Sequence, residues 1–595
     1  MTHLRVAIGQ LPVAVGDVAG NAERIAETMD WAEAHDVDVL VLPELVLTGY
    51  PVADLVLHRE FVAEAEEATA RLATRAGTTT TVLSTISRVA PRRSWDTVDR
   101  DVSISAVLLN RGEARGTYHK VLLPTYGLFD EGRNIAPGGE PGALWRLGDV
   151  VAGVSICEDL WSGDGPPEAQ AAGGAQVLLV PNASPYHRSK REGREHLGSR
   201  VAWRNGVPLV YANLVGGQDD IVFDGSSMVL DGDGRLLYRA PAFVEDRAYV
   251  DVPLPAARAV TAPVRTVHTV PLRERPRAHT PACAEPLDEL VEIWRALSVG
   301  TRDFARRNGH EQAVLGLSGG IDAALTAMLA ADVLGPEHVL GVAMPGPETP
   351  EEELQDAHDV AVSLGIGFAV VPLDALMAGS DEALTTAVGQ VERTDPEALE
   401  AGPRAARLRA AVLNAIGDAH GHLVLATANK TELSIGAATL RSDAVGGFAP
   451  LRDCSKTLLY RLAEHEEVAH GRIPDRVLHK RTSAQERLGA TLPSYEVLDT
   501  IVQRYVQYGE GVEDLVAHGL DAEVVVDVLG RIDRAESARR TSPPGVTVSP
   551  RAFGTDRRMP ITNGWRPSRR ADSGAVDPDH PRFALDPETA EAPDR

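Results

Sequence analysis

The stretch that most constrains the fold is an apolar run followed by Ser-Gly-Gly-Ile-Asp at residues 318–322. Residues 314–317 are typical of a buried strand, and residues 321–334, rich in Ala and Leu, are typical of a helix. The Ser-Gly-Gly between them predicts a tight turn, because glycine lets the backbone approach a ligand closely. The free N–H groups at the helix start would suit a phosphate. No Lys-Ser/Thr pair follows the glycines, so this is not the Walker A pattern.

This loop resembles the Ser-Gly-Gly-x-Asp loop of the ATP pyrophosphatases, which grip the pyrophosphate of ATP and leave AMP on a substrate carboxylate. The resemblance implies that ATP is a substrate and that Asp322 holds Mg²⁺ through a hard carboxylate oxygen. The alternative is a strand-turn-helix whose small residues serve close packing. The ATP-binding residues that the resemblance implies here are Gly316, Leu317, Ser318, Gly319, Gly320, Ile321, Asp322 and Ala323.

The length and composition indicate a multidomain protein that is not built for nucleic acid. A chain of 595 residues is too long for one core and predicts two or three domains. The formal net charge of -26 argues against nucleic-acid binding, which needs a basic face. We find no apolar stretch long enough to span a bilayer and no secretory segment at the start, so we expect no membrane partner. Three cysteines cannot form a disulfide framework, which favours a cytoplasmic location.

In the first 250 residues, apolar strands alternate with helices. Candidate strands lie at residues 6–10, 37–42, 151–157, 175–180 and 207–212. Asn21 is the expected N-cap of an amphipathic helix that runs to about residue 35. Nearly continuous apolar strands of this kind predict sheets covered on both faces, and hence an α/β layered domain.

Three chemically distinct residues, Glu44, Lys120 and Cys157, are expected at strand ends, and together they suit amide hydrolysis. A thiolate at Cys157 can attack an amide carbon, and Glu44 can take the thiol proton and later activate water. Lys120 can stabilise the oxyanion that develops. Taken one at a time, the cysteine could equally be a buried small hydrophobe, and the Glu and Lys could be surface residues.

The segments around these residues resemble the three signatures of the nitrilase/amidase family, in family order. They read Leu-Pro-Glu-Leu at 42–45, Tyr-His-Lys-Val-Leu-Leu-Pro at 118–124 and Ile-Cys-Glu-Asp-Leu-Trp at 156–161. The resemblance covers about residues 4–250 and implies an αββα sandwich. It assigns Glu44 as general base, Lys120 as oxyanion stabiliser and Cys157 as nucleophile.

The same family resemblance extends to residues around the catalytic three. Glu131 would be a second acidic residue beside the lysine and the cysteine. In the glutamine-hydrolysing branch, the positions that match Tyr126, Ser184 and Lys190 hold the glutamine. The alternative for these three is ordinary loop polarity.

The second half predicts a different α/β domain. Residues 254–286 are rich in proline and lack apolar periodicity, which predicts an extended linker. Beyond them, short strands alternate with helices, which predicts a doubly wound parallel sheet with ligands at the carboxyl ends of its strands. We therefore expect a glutaminase domain at 1–253, a linker at 254–286, a synthetase domain at 287–567 and a disordered tail at 568–595.

Several segments of this half resemble NAD synthetases. They are Thr-Ala-Asn-Lys-Thr-Glu at 427–432, Gly-Gly-Phe-Ala-Pro-Leu at 446–451 and the long segment at 551–563. The resemblance implies that Thr427 contacts ATP, that Glu432 lies near deamido-NAD and a metal, and that Lys456 lies near the phosphates. A helix N-cap for Thr427 and solvated charges for the other two are the alternatives.

The order of the two halves is the layout of the glutamine-dependent NAD synthetases, which the chain resembles over about residues 4–565. That layout implies a paired reaction, in which ammonia from glutamine attacks an adenylate made from ATP and deamido-NAD. A sheltered route would keep the ammonia unprotonated. The resemblance also implies a homo-oligomer.

Some positions depart from the family pattern, chiefly on the side of the acid substrate. Pro403 stands where an Asn is expected, Ala538 stands where a Lys is expected, and Arg441-Ser442-Asp443 stands where Tyr-Gly-Asp is expected. Between Gln485 and Leu492 the loop is shorter than the family pattern and lacks the acidic residues usual there. The alternatives are therefore a related ligase that amidates a different carboxylic acid, a stand-alone C–N hydrolase, or a non-catalytic module.

Overall fold

The computed structural model describes residues 3–92, 100–273, 275, 278–347, 349–388, 401–437, 446–480 and 492–565. At residues 91, 92, 385, 388 and 401–403 it describes the backbone alone. The chain divides into two compact units, residues 1–287 and 288–595, and each is described by itself.

The first unit is built on two large sheets. One has six strands in the order β14-β1-β2-β3-β4-β5, and the other has seven in the order β13-β12-β9-β8-β7-β6-β15. A separate two-stranded hairpin, β10-β11, lies between β9 and β12 in the sequence. The strands are β1 His3–Gln10, β2 Val39–Val41, β3 Thr80–Arg92, β4 Arg100–Asn110, β5 Glu113–His119, β6 Leu144–Leu147, β7 Val150–Val154, β8 Val177–Asn182, β9 Leu209–Asn213, β10 Val215–Gln218, β11 Ile221–Asp224, β12 Met228–Leu230, β13 Leu236–Arg239, β14 Asp246–Pro253 and β15 Val264–His268.

The two large sheets pack face to face, with helices on their outer sides. One buried cluster joins Val39 and Ile104 of the six-stranded sheet to Val154 and Val210 of the seven-stranded sheet. The outer helices are α1 Val18–Ala34, α2 Arg59–Arg75, α3 Pro166–Gly173 and α4 Lys190–Asn205. Because both faces of each sheet are covered, strands such as β2 and β7 are buried and apolar throughout, as the sequence predicts. The αββα sandwich is confirmed.

Two local expectations in this unit are wrong. Helix α1 begins after Asp17, whose carboxylate accepts a hydrogen bond from the N–H of Gly20, so Asn21 is not its N-cap. Asn21 is buried inside the helix, and its side-chain amide bonds the backbone of Ala14 and Leu47. The strand expected to end at Cys157 ends earlier, at Val154, because the chain turns there into a short 3₁₀ helix, Cys157–Leu160.

The proline-rich stretch at residues 254–286 is tied to the first unit. Its strand β15 pairs in parallel with β6 at the edge of the seven-stranded sheet. Farther along, the guanidinium of Arg275 pairs with the carboxylate of Asp38 at 2.7 Å. The N–H of Ala284 donates to the carbonyl of Arg239 at 3.0 Å. The linker prediction did not include this strand.

The second unit contains a parallel sheet of four strands among the described residues, in the order β18-β17-β16-β19. The strands are β16 Ala313–Gly316, β17 Val339–Ala343, β18 Gly367–Val370 and β19 Leu423–Leu425. The strand order runs one way from β16 to β18 and then reverses to β19. The crevice at such a reversal is where doubly wound sheets bind ligands. The doubly wound parallel architecture is confirmed.

Helices surround this sheet and continue beyond it. The first turn of α9 contains Pro403, a position where a missing N–H costs no helical hydrogen bond. After α11, a helical layer packs around a separate core that includes Leu498, Ile501 and Leu529. The helices of the unit are α5 Glu289–Arg307, α6 Ile321–Leu334, α7 Glu351–Leu364, α8 Asp374–Val388, α9 Ala401–His420, α10 Lys430–Ile435, α11 Lys456–Glu464, α12 Glu466–Ala469, α13 Asp475–Leu478, α14 Tyr495–Gln503, α15 Val512–Ala517, α16 Ala522–Arg534 and α17 Glu536–Arg539.

Within the described residues, no helix combines the length and apolar character that crossing a membrane would require.

Candidate active sites

The centre of the first site is the fully buried ammonium of Lys120. It donates to Oε1 of Glu44 at 2.7 Å and to Oε1 of Glu131 at 2.8 Å. Lys120 and Glu44 have no exposed surface. The residues come from three places, because Glu44 follows β2, Lys120 follows β5 and Glu131 begins a 3₁₀ turn. Tyr50 adds a hydrogen bond from its hydroxyl to Oε1 of Glu131 at 2.9 Å.

Cys157 lies on a sharp backbone turn against this ion cluster. Its φ of +45° is in the left-handed region, which a residue with a side chain seldom adopts. The electrostatic environment of the thiol includes Glu44, Lys120, Glu131 and the N–H of Ala183. Glu44, Lys120 and Cys157, expected together from the sequence, are therefore brought into one buried site.

The charges in this site set the proton positions. Burial raises the pKa of the Cys157 thiol well above its usual range; Glu44 adds to the rise, and Lys120 opposes it. Burial alone would lower the pKa of Lys120, but Glu131 and Glu44 outweigh it and raise that pKa. Burial raises the pKa of Glu131 to about 7, against the attraction of Lys120. At rest, the site therefore combines a protonated thiol with a permanently charged lysine.

A second group of polar side chains lies next to Cys157. The hydroxyl of Tyr126 donates to both carboxylate oxygens of Glu158, at 3.0 and 2.9 Å. The ammonium of Lys190 lies 4.1 Å from the ring centroid of Trp161. Burial, helped by the positive charge of Arg194, lowers the pKa of Lys190 to about 8. Tyr126 and Lys190 were expected here.

Glu158 was missed in the sequence as a site residue. Glu158 accepts hydrogen bonds from the hydroxyl of Tyr126. Burial and the charge of Glu158 raise the pKa of Tyr126; Cys157 adds to the rise and Lys120 opposes it, so Glu158 shares its environment with these two residues. The usable signal was position, because Glu158 directly follows Cys157, the expected nucleophile, in the sequence.

Ser184 is held rigidly beside these groups. Its N–H donates to Oδ1 of Asn213 at 2.8 Å, and its carbonyl accepts from Arg194 at 3.3 Å. Arg194 is itself paired with Asp224 in a fully buried ion pair. The adjacent Ala183 N–H donates to Oε2 of Glu44 at 3.2 Å. The loop that carries Ser184 is therefore fastened to the carboxylate of Glu44.

In the second unit, the Ser-Gly-Gly turn joins the carboxyl end of β16 to the start of α6. Gly319 has φ +69°, and a Cβ placed there would lie 2.6 Å from Cβ of Asp356 and 2.8 Å from the carbonyl oxygen of Glu353. Only glycine fits this contact with α7. Gly320 precedes the first residue of a 14-residue helix, α6, whose first N–H groups face the turn.

Asp322 connects this turn to the segment after β19. Its Oδ1 accepts from the side-chain amide of Asn429 at 2.8 Å, and its Oδ2 is bonded to the ammonium of Lys456. Asn429 also caps α10, because its Oδ1 accepts from the N–H of Glu432 at 2.9 Å. The N-cap of α10 is thus Asn429 and not Thr427, which lies two residues after the end of β19 and two residues before Asn429.

Lys456 is buried between negative groups. Burial by itself would lower its pKa, but Asp322 and Glu432 outweigh it and raise the pKa. Its backbone N–H donates to the hydroxyl of Thr431 at 2.8 Å. The expected ATP, metal and phosphate residues of this unit, Asp322, Glu432 and Lys456, are therefore neighbours at the reversal of strand order.

Comparison with known proteins matches the two parts of the chain to two different families. A carbon-nitrogen hydrolase family model matches residues 5–262, and an NAD synthase family model matches residues 293–542. The chain is 37% identical to the glutamine-dependent NAD(+) synthetase of Thermotoga maritima, with 95% of this chain and 100% of the relative covered. It is 34% identical to that of Synechocystis sp., with 94% and 99% covered. The chain belongs to the glutamine-dependent NAD(+) synthetase family.

The solved structures agree with this assignment. The glutamine-dependent NAD(+) synthetase of Acinetobacter baumannii, in complex with ADP, has 31% sequence identity and a TM-score of 0.70, with 96% of this chain and 100% of that chain covered. The enzyme from Cytophaga hutchinsonii, at 19% identity and a TM-score of 0.77, shares the fold.

Not all of the sequence-predicted departures from this family can be placed. Ala538 is half-buried on α17, next to the buried Arg539. Pro403 lies where only the backbone is described, and Ser442, Asp443 and Gln485 lie outside the described residues. The tail expected to be disordered, residues 568–595, also lies outside them.

The buried cluster around Lys120 predicts a specific response to losing its cation. Lys120→Met would leave the carboxylates of Glu44 and Glu131 buried without their shared cation, and we expect it to lower the free energy of unfolding by about 3–5 kcal/mol at pH 8. A carboxyl group whose pKa is raised in the folded state makes the protein less stable as pH rises. The difference in free energy of unfolding between the variant and the unaltered chain should therefore shrink as the pH falls from 8 to 6, as measured by calorimetry on the full chain.

The double variant Lys120→Met, Glu131→Gln is the matched control, because it removes one of the two stranded charges. It should recover part of the loss at pH 8. A deficit that does not change with pH would contradict the charge argument and point to packing alone.

Proposed function

We propose that the chain converts deamido-NAD, ATP and glutamine into NAD(+), AMP, pyrophosphate and glutamate. The observation that carries this proposal is that one chain holds two complete constellations, Lys120 with its carboxylates beside Cys157 and Asp322 with Lys456 beside a Ser-Gly-Gly turn. Family membership over nearly the whole length of the relatives supports the pairing of the two chemistries.

In the first unit, the proposed reaction is glutamine hydrolysis through a thioester. Glu44 takes the Cys157 proton while the sulfur attacks the side-chain amide carbon of glutamine. Lys120 stabilises the oxyanion, and ammonia leaves with the proton that Glu44 returns. Glu44 then activates a water, which releases glutamate. Because the resting thiol is protonated, a nearby base is required, and Glu44 lies where it can serve.

Recognition of the amino-acid end of glutamine is assigned to the second polar group. The positive charge of Lys190 suits the α-carboxylate, and the negative charge of Glu158 suits the α-ammonium. Tyr126 orients that Glu158 carboxylate through its two hydrogen bonds. Ser184 and Glu131 complete the proposed glutamine site.

In the second unit, the proposed reaction is adenylation of the acid. The N–H groups of the Ser-Gly-Gly turn and the start of α6 would bind the phosphates of ATP. Lys456 would neutralise phosphate charge as pyrophosphate leaves, and Thr427 would contact the nucleotide. The relative from Acinetobacter baumannii was solved with ADP, which supports a nucleotide site in this fold. Ammonia then attacks the acyl carbon and displaces AMP.

Asp322 and Glu432 fit the donor set for Mg²⁺. Magnesium is usually held by one or two carboxylates together with substrate phosphates and water. Each carboxylate oxygen of Asp322 accepts one hydrogen bond, which leaves a further lone pair on each. When bound, the ion would neutralise negative charge on the phosphates.

We further propose that the enzyme works in the cytoplasm as a homo-oligomer. The three cysteines are all free thiols, which suits a reducing compartment. Oligomerisation follows from the family resemblance, and size measurement in solution tests it.

A second candidate function differs only in the acid. Ala538 provides a methyl group where the family pattern has a cationic Lys, and an anionic substrate would lose that attraction. A ligase for another carboxylic acid would form AMP with that acid and no NAD(+) from deamido-NAD.

The division of labour makes the first functional prediction. Purified chain with glutamine, ATP, Mg²⁺ and deamido-NAD should yield NAD(+), as identified by mass spectrometry. Cys157→Ala should abolish this synthesis, because it removes the nucleophile, yet keep synthesis driven by ammonium salts. Cys283→Ala, at a half-buried thiol that contacts the carbonyl of Leu237, is the control and should keep both. Equal loss of both activities in Cys157→Ala would refute the division.

The second unit has its own test in Asp322→Asn. The variant weakens the hydrogen bond to charged Lys456, worth about 1.5–3 kcal/mol, so ammonia-driven synthesis should fall roughly 10- to 150-fold. Asp359→Asn, at a partly exposed carboxylate that accepts a hydrogen bond from the side-chain amide of Gln355, is the matched control and should have little effect. Unchanged synthesis in Asp322→Asn would remove Asp322 from the site.

Lys190 predicts a pH dependence of glutamine binding. Its pKa is lowered to about 8 by burial, so its charge is lost as pH rises through 8. We expect KM for glutamine to rise over that range, measured by glutamate release. Lys190→Arg keeps its charge and should show no such rise up to pH 9. Lys190→Met should have a raised KM at every pH; a KM equal to that of the unaltered enzyme would contradict the assignment.

A further inference from the structure

Asp159, two residues after the nucleophile, is a buried carboxylate that the reaction above does not use. It has no exposed surface. Four donors converge on it, and three of them are backbone N–H groups. A backbone N–H cannot act as an acceptor, so this position requires a side chain that accepts on both of its oxygens.

One oxygen of Asp159 holds the segment that carries Lys120. Its Oδ1 accepts from the N–H of Val121 at 3.1 Å and from the N–H of Leu122 at 2.8 Å. These are the two residues that follow Lys120. The backbone of Lys120 itself is fixed on both sides, since its N–H donates to Ile104 and its carbonyl accepts from Gly138.

The other oxygen holds the turn that carries Cys157. Its Oδ2 accepts from the N–H of Ile156 at 2.9 Å, immediately before the nucleophile. The same Oδ2 accepts from the hydroxyl of Tyr118 at 2.8 Å, two residues before Lys120. The N–H of Asp159 donates to the carbonyl of Ile156 at 3.0 Å, which closes the turn with Cys157 at positive φ.

We infer that Asp159 is a positioning residue that sets the distance between the Lys120 ammonium and the Cys157 sulfur. It bridges the two segments through their backbones, so it controls where the oxyanion forms relative to the cation that stabilises it. The hydrogen bonds it accepts come from three backbone N–H groups and the Tyr118 hydroxyl, so it acts through the segments that carry Lys120 and Cys157. This inference rests on the proposed glutaminase activity.

The consequence is an effect on turnover and not on glutamine binding. Lys190, Glu158 and Tyr126 would still bind glutamine if the Lys120 ammonium were displaced relative to the Cys157 sulfur. Misplacement by a fraction of an ångström weakens oxyanion stabilisation, which acts in the transition state. Each carboxylate oxygen of Asp159 accepts from at least one backbone N–H. In Asp159→Asn, the amide NH₂ would replace one of these oxygens, and the N–H opposite it would lose its acceptor.

The test compares Asp159→Asn with Asp164→Asn, an exposed carboxylate five residues away. We expect Asp159→Asn to lower kcat for glutamine hydrolysis ten- to hundredfold, with KM within twofold. Ammonia-driven synthesis should be unchanged, and Asp164→Asn should match the unaltered enzyme. Labelling of Cys157 by a diazoketone analogue of glutamine, counted by mass spectrometry, should still reach one per chain.

Labelling separates positioning from simple loss of structure. A fall in kcat that only matches the fall in labelled chains would overturn the inference in favour of a folding role. A kcat within twofold of the unaltered enzyme would also overturn it. If Asp159→Asn does not fold, Tyr118→Phe decides, because it removes one of the four hydrogen bonds. A severalfold lower kcat with full labelling supports positioning, and an unchanged kcat refutes it.

Failure of the proposed function would look different. In that case the unaltered enzyme itself would release no glutamate from glutamine, and the Asp159 comparison would have no activity to compare.

Discussion

The first unit depends on a buried lysine shared by two carboxylates. Removing one ammonium and two carboxyl groups from water is costly, and it is tolerated only when the charges are paired at hydrogen-bond distance. Lys120 meets that condition with Glu44 and Glu131 at 2.7 and 2.8 Å. The strands, the turns and Asp159 all serve to bring these groups to the sulfur of Cys157. In the proposed glutamine hydrolysis, the same desolvation that makes the cluster costly would strengthen the attraction between Lys120 and a developing oxyanion.

In the second unit, the candidate site is built around a backbone turn and not around a buried ion cluster. The Ser-Gly-Gly turn lies where the strand order of a parallel sheet reverses, and Gly319 makes room for α7 at that point. Side chains then gather around the turn, as Asn429 and Lys456 both bond Asp322. In the proposed reaction, the first unit therefore supplies buried charge for a covalent step, and the second supplies backbone N–H groups that bind phosphates.

The sequence was most informative where residue type, spacing and chemistry agreed. The strand-turn-helix at residues 314–334 and the meeting of Glu44, Lys120 and Cys157 could be predicted because apolar runs mark the buried strands on which they depend. It was less informative where a side chain bonds the backbone. Asn21 and Asp17 are both good caps by type, and tertiary contacts decide between them. The role of Asp159 could not be predicted, because its donors come from two segments far apart in sequence.

The strand β15 has a practical meaning for where the protein can be divided. It pairs with the outer edge of β6, although it lies in a proline-rich stretch whose composition predicts only a linker. A fragment that ended at residue 253 would leave that edge bare, with a row of unsatisfied peptide groups that invites self-association. A cut after residue 287, where the first compact unit ends, keeps the sheet closed on that side.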